Sequence, residues 1–236
     1  MTQASVGFHC PECLKGSSQK VISGPQALAG AQPYVTMALI AINVLIWMAE
    51  NGRGVSFNGN AWSFGIAQGQ WWRMITGGFL HAGLGHIFMN MFALWNLGRI
   101  FEKMLGVRDY IVLYMGSLLA GSLGAVISGS FFGGGAARGA SGAIFGLIGA
   151  LVVLYRSRGI SIQQSGLMPT LVLNGLISFI PGISLAGHLG GFLGGVALAG
   201  IFFFAADELR KINKYAVTAA GVALSLAFFA AGVLLA

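Results

Sequence analysis

Apolar residues in this chain come in long runs, with charge confined largely to the gaps between them. A helix crossing ~30 Å of hydrocarbon needs about 20 mostly apolar residues. Seven runs approach that length: about 34–50, 79–98, 110–132, 140–155, 165–180, 183–206 and 215–236. The fifth is the weakest, being short and interrupted by Asn174. The pattern predicts an all-α, polytopic membrane protein. The first run begins beyond residue 30 and lacks a small-residue cleavage pattern after it, so it reads as a retained span and not a signal peptide. Between the first two runs lies "NGRGVSFNGNAWSFGIAQGQWWRMITGG" (51–78), long, aromatic and poor in charge. That composition suits a loop resting at the membrane interface, where Trp is favoured.

Composition sharpens this picture. The chain is 56% hydrophobic and 8% charged, against roughly a quarter charged in a soluble domain. Its 38 glycines point to helices packed closely through small residues. The net charge of +7 suits contact with anionic lipid and does not argue for nucleic acid. With the N-terminus inside, the inner segments hold Lys15, Lys20, Arg99, Lys103, Arg108, Arg156, Arg158, Arg210, Lys211 and Lys214. Only Arg53, Arg73 and Arg138 fall outside, and this positive-inside asymmetry predicts a cytoplasmic N-terminus. The acids Glu12, Glu50, Glu102, Asp109, Asp207 and Glu208 all sit near span ends or in tails. Proton relays and cation transporters place carboxylates deep in the membrane, so the pattern speaks against them.

Depth brings together a few polar residues from separate spans. At 1.5 Å per residue, Ser141 stands roughly 21 Å above Tyr155, His86 roughly 20 Å above Arg99, and His188 roughly 27 Å above Ala206. Asn90 lies one turn below His86 on the same face. The fourth run covers only about 24 Å, so its helix is predicted to begin below the outer surface. The preceding "GSFFGGGAARG" then dips inward, tolerable only where it lines a cavity. Gly142 and Gly146 form a small-residue ridge in the fourth run, and Gly187, Gly191 and Gly195 form one in the sixth. Any one of these glycines alone is simply a packing residue. Together the ridges flank Ser141 and His188 and would let the two helices meet.

A serine hydroxyl needs an adjacent base to become a nucleophile, and histidine suits that role near neutral pH. With no deep carboxylate to orient the imidazole, a Ser141–His188 dyad is the arrangement left. Acyl transfer also needs donors for the developing oxyanion; the Ser141 N–H, the His86 ring and the Asn90 amide are candidates at matching depth. Phe145, one turn below Ser141, is placed to pack on the His188 ring. Haem or metal ligation by His81, His86 and His188 is the competing reading, though it leaves the serine unexplained. His81 suits a structural hydrogen bond at the span entrance, and Asn96 and Asn174 suit helix packing or bonding to the backbone.

These residues resemble the rhomboid intramembrane serine proteases. The resemblance rests on "GASG" (139–142), "HAGLGHIFMN" (81–90), "GHLGG" (187–191), "WWR" (71–73) and "LGRIFEKMLG" (97–106), in order over about 60–206. It implies a six-helix rhomboid core with a seventh C-terminal helix. The division expected is a cytosolic tail at 1–32, a catalytic core at 33–208, and a basic linker with the last helix at 209–236. It further implies cleavage of transmembrane protein substrates in or near their membrane segments, with no cofactor and no nucleic acid. Ser141 takes the place of the nucleophile, His188 the base, and His86 with Asn90 the oxyanion hole. Gly139, Phe145 and His81 take supporting places, while Trp72, Arg73 and Glu102 match structural positions. The setting implied is a bacterial plasma membrane with the site opening to the outer face. A catalytically inert rhomboid-like binder of membrane clients is the alternative on the same fold. Some bacterial members carry a zinc module at the N-terminus, but Cys10, Cys13 and His9 fall short of the four ligands a structural zinc wants, so no metal is expected.

Overall fold

In the computed structural model, residues 2–3, 8–9, 32–52, 59–61, 63–133, 137–213 and 215–236 are described. Cys10, Cys13, Glu12, Lys15, Lys20, Arg53 and Lys214 lie outside them, as do parts of the two glycine-bearing loops at 53–58 and 134–136. The chain divides into two units, Met1–Gln32 and Pro33–Ala236. In the first, β1 (Thr2–Gln3) pairs antiparallel with β2 (Phe8–His9).

The second unit is all helical. Its elements are α1 (Tyr34–Gly52), α2 (Ser63–Ala67), α3 (Arg73–Thr76), α4 (Leu84–Leu105), α5 (Val107–Phe132), α6 (Ser141–Ser157), α7 (Met168–Ile177), α8 (Leu185–Gly200), α9 (Ala206–Ile212) and α10 (Ala216–Leu234). A π-helical turn, Ile201–Ala205, joins α8 to α9. Among the described residues, four stretches are long and apolar enough to cross a membrane: Tyr34–Asn51, Val107–Phe132, Leu185–Ala205 and Ala216–Leu234. Shorter apolar helices at α6 and α7 accompany them. α7 is only 10 residues, about 15 Å, and buries none of them.

The second span differs from its expected limits. Its helix runs from Leu84 to Leu105 and not over 79–98. Gly77–Phe79 form a 3-10 turn and Leu80 is extended, so the helix starts later than hydropathy indicates. It continues past Arg99, and its last turn carries Glu102 to the start of α1. The Glu102 carboxylate accepts from the Val35 and Thr36 backbone N–H groups, both at 2.8 Å, and from Thr36 Oγ1 at 2.7 Å. An anion at a helix N-terminus satisfies orphan donors and complements the helix dipole. Gly106, at φ +80°, then ends the helix. His86 consequently lies near the start of α4, about 28 Å above its far end and still about 20 Å above Arg99.

The core of this unit is α5, α6 and α8 in mutual contact, with α10 against α5. Glycine makes the contact possible. A Cβ on Gly191 would collide with the Gly142 carbonyl, and one on Gly195 with the Gly146 carbonyl. Gly121 of α5 faces both Gly142 and the Gly187 carbonyl, so the three helices meet where Ser141 and His188 begin their own helices. Tyr110, Leu113, Leu147 and Leu198 are fully buried in the core of this unit. α10 is fastened to α5 by Thr218 Oγ1 donating to Asp109 at 2.6 Å.

Glu102→Ala strips three donors of a buried acceptor and is expected to cost about 3 kcal/mol. Glu208→Ala, which removes only the exposed pair to Lys211, is expected to cost less than about 0.5 kcal/mol. Unfolding of the two variants in detergent compares them; equal losses would contradict the capping role.

Candidate active site

The strand of chain entering α6 is held by backbone bonds to the loop before α4. Ala61 and Ala137 exchange two N–H···O bonds at 2.9 Å each, and the Gly139 N–H donates to the Gly77 carbonyl at 2.9 Å. The Ala140 N–H points at Nε2 of buried His81, 3.5 Å away. Thr76 Oγ1 donates to the Gly59 carbonyl, and Ser122 Oγ of α5 to the Met74 carbonyl, both at 2.7 Å. Gly139 adopts φ +121°, a conformation that side-chain-bearing residues rarely enter. The helix then starts at Ser141 itself, with its first N–H groups free of intrahelical partners.

Across the glycine contact, Ser141 Oγ lies 2.8 Å from His188 Nε2. The His188 ring stacks on Phe145, centroids 3.9 Å apart and planes 16° from parallel. It is 5% exposed, enough to leave one edge facing the serine. Its other nitrogen, Nδ1, lies 2.7 Å from Ser178 Oγ. Ser178 follows α7, is 3% exposed, and its hydroxyl donates to the Asn174 carbonyl at 2.9 Å. Sequence reasoning missed Ser178; a serine ten positions before the histidine, in the weakest span, carries no signal until the two helices are brought together.

His86 approaches from α4. Its Nδ1 accepts the Ala82 N–H at 3.3 Å, so in the neutral ring Nε2 carries the hydrogen. That nitrogen borders Gly139: a Cβ there would stand 2.8 Å from both Cε1 and Nε2 of His86 and 3.8 Å from Ser141 Oγ. The His86 and His81 rings lie 5.1 Å apart. Asn90 is buried and donates from Nδ2 to the His86 carbonyl at 2.8 Å. Its carboxamide oxygen has no hydrogen-bond partner among the described residues, and the side chain makes no bond to Ser141 or His188. The site thus gathers Ser141, His188, Phe145, Gly139 and His86 around one point, with Asn90 one turn below.

Residues 68–205, more than half of the chain, match the family model described as the Rhomboid domain. The chain belongs to the rhomboid family. It is 33% identical over 189 residues to the rhomboid protease GluP of Bacillus subtilis, covering 75% of this chain and 35% of that protein. It is 36% identical over 142 residues to the putative rhomboid protease YdcA of the same organism, covering 58% and 70%. It is also 36% identical over 152 residues to rhomboid-type serine protease 2 of Emericella nidulans, covering 61% and 29%. The chain therefore spans about a third of GluP and less than a third of the fungal relative. Family membership together with the long apolar helices makes this rhomboid an integral membrane protein.

The remaining residues singled out in the rhomboid sequence sit around the site and not in it. Trp72 is half-exposed at the start of α3, edge-on to Trp71 with centroids 6.0 Å apart. Trp71 in turn meets Phe229 of α10 at 6.0 Å, so the C-terminal helix supports the loop. Arg73 is buried, donating from Nε to Gln70 and from Nη1 to the Asn60 carbonyl. Glu102 stands at the far end of α4, capping α1. Asn96 and Asn174 donate to backbone carbonyls four residues back on their own helices. A cavity of about 350 Å³ beside the loop is lined by Ile46, Trp72, Ile75 and Phe79 among others; Ser141 and the histidines are not part of its lining. Among the described residues, no three of His, Cys, Asp and Glu are grouped to hold a metal ion.

Gly139→Ala forces both a rarely adopted backbone and a clash with the His86 ring. Gly69, at φ +88° with nothing within 4 Å of an added Cβ, isolates the backbone part, about 1–2 kcal/mol. Gly139→Ala is expected to exceed Gly69→Ala by about 1 kcal/mol or more in detergent unfolding. Equal destabilisation would show that His86 is not pressed against Gly139.

Proposed function

We propose that this rhomboid is a serine endopeptidase that cleaves membrane proteins in or near their transmembrane segments through a Ser141–His188 dyad. The observation that carries the reading is the 2.8 Å contact between Ser141 Oγ and His188 Nε2, made by an imidazole held against Phe145. The curated relatives named as rhomboid proteases support the class of reaction.

The chemistry follows from the proton positions. His188 Nε2 takes the Ser141 hydroxyl proton as Oγ attacks the scissile carbonyl. The carbonyl oxygen gains charge and is met by the free Ser141 N–H and by His86 Nε2–H, in a site shielded by packed helices where such donors count for more than in water. Asn90 is the third candidate donor, through the N–H not spent on the His86 carbonyl. The tetrahedral adduct collapses, His188 Nε2 passes its proton to the leaving amine, and an acyl ester remains on Ser141. Water, deprotonated by the same nitrogen, hydrolyses the ester and returns the hydroxyl. No metal or cofactor enters these steps.

A fully hydrogen-bonded substrate helix resists attack because its carbonyls are engaged, so small, helix-weakening residues near the cut are the expected preference. Ser141, His86 and His188 all stand near the starts of their helices. These three starts share one side of the bundle, and the positive-inside charge pattern supports that side facing outward. The setting proposed is the bacterial plasma membrane, with a cytoplasmic N-terminus.

Ser141→Ala and His188→Ala are each expected to abolish cleavage of a model transmembrane substrate in liposomes. His86→Ala, which removes one oxyanion donor, is expected to lower kcat by about 10²-fold. Full activity in either dyad variant would sink the assignment and favour a client-binding role on the same fold.

A further inference from the structure

The proposed dyad leaves the orientation of its base unaccounted for, because no carboxylate touches His188 among the described residues. We propose that Ser178 is the positioning residue that fixes the tautomer of His188. The proposal rests on the dyad reading above and extends it to a third side chain.

The argument is an inventory of protons. Ser178 Oγ and the Asn174 carbonyl oxygen lie 2.9 Å apart. That separation, between residues four apart at the end of one helix, suits a bond donated by the hydroxyl, since the carbonyl has no hydrogen to give. In the arrangement proposed, the single hydroxyl hydrogen of Ser178 goes to the Asn174 carbonyl. Ser178 Oγ and His188 Nδ1 are 2.7 Å apart, and that contact also needs a hydrogen. With Ser178's own hydrogen spent, it must come from the imidazole: Nδ1 is protonated and Ser178 accepts. A neutral imidazole carries one N–H, so Nε2 is bare and receives the Ser141 hydroxyl hydrogen across 2.8 Å. The chain Ser141 → His188 → Ser178 → Asn174 carbonyl runs in one direction, and only this direction makes Nε2 a base.

The opposite tautomer would place Nε2–H against Ser141 Oγ and leave nothing to accept its proton. With the Ser178 hydrogen turned to Asn174, it would also set the Nδ1 lone pair against a serine lone pair, where Ser178 is 3% and His188 5% exposed. As proton leaves Ser141, Ser178 remains an acceptor for the imidazolium, so the same contact holds the ring throughout the reaction. Asn174 acquires a part through its backbone carbonyl, not its side chain, which bonds Thr170. The Ser178–His188 contact links the end of α7 to α8. The simpler reading is that Ser178 is a serine bonded back to its own helix, as many are. That reading accounts for the Asn174 bond but not for a 2.7 Å approach to the base on another helix.

The test uses the full chain in detergent, labelled with ¹⁵N-histidine. The His188 resonance is assigned by its loss in His188→Gln. Wild type is expected to show a protonated Nδ1 and a bare Nε2. Ser178→Ala is expected to lose that single tautomer and to lower kcat by about 10- to 100-fold with KM within about twofold. Ser178→Thr, which keeps the hydroxyl, is expected to restore both readouts. Should Ser178→Ala not fold, Ser178→Thr against Ser178→Val supplies an isosteric pair that differs only in the acceptor. If Ser178→Ala keeps the wild-type tautomer and kcat while Ser141→Ala and His188→Ala are inactive, the positioning role falls and the dyad stands. If instead His188→Ala retains activity, the dyad itself falls.

Discussion

Everything at this site depends on backbones of α6 and α8 touching. Two helices carrying ordinary side chains stay 8–10 Å apart, too far for a serine at the start of one to reach a histidine near the start of the other. Here Gly191 lies on the Gly142 carbonyl and Gly195 on the Gly146 carbonyl, so the space a Cβ needs is taken by the neighbouring main chain. The 2.8 Å contact of Ser141 with His188 is the consequence. Within a membrane such packing is favourable on its own account, since apolar side chains gain little by turning from lipid to protein and close dispersion contact takes over.

Around that contact the protein spends backbone hydrogen bonds to hold what lacks regular structure. The segment 137–140 has no helix to stiffen it, and it is fixed by Ala61, Gly77 and His81. The loop supplying those partners is itself tied to α5 through Ser122 and braced by Phe229 of α10. Irregular backbone at membrane depth is tolerable only when buried in protein or lining a cavity, and here each link leads back to a packed helix. The charged residue Glu102 does the corresponding job at the opposite end of α4, where it caps the start of α1.

Much of this was legible in the sequence, because it is written in spacing. The all-helical class follows from apolar runs, and the meeting of α6 with α8 from glycines repeating every four residues. The motif order over about 60–206 carries the family, which the Rhomboid domain match over 68–205 shows. What was not legible depends on partners distant in sequence. Hydropathy set the second span at 79–98, since an averaging window sees neither the 3-10 turn at Gly77 nor the buried use that Glu102 finds on α1. Asn90 reads as an oxyanion donor from its place one turn below His86, yet the fold commits one of its N–H groups to the His86 carbonyl. Ser178 has no pattern at all; its role emerges only from two distances, 2.7 and 2.9 Å, to atoms on either side.

The central claim is that Ser141 is activated by His188 and by nothing else. Peptide mapping by mass spectrometry after exposure to a fluorophosphonate tests it directly, because the reagent adds to a serine only when a base draws off its proton. The wild-type chain is expected to carry the adduct on Ser141 alone, and the His188→Ala chain, folded to the same extent, to carry none. An unmodified Ser141 in wild type, or an adduct that forms equally without His188, would contradict the account.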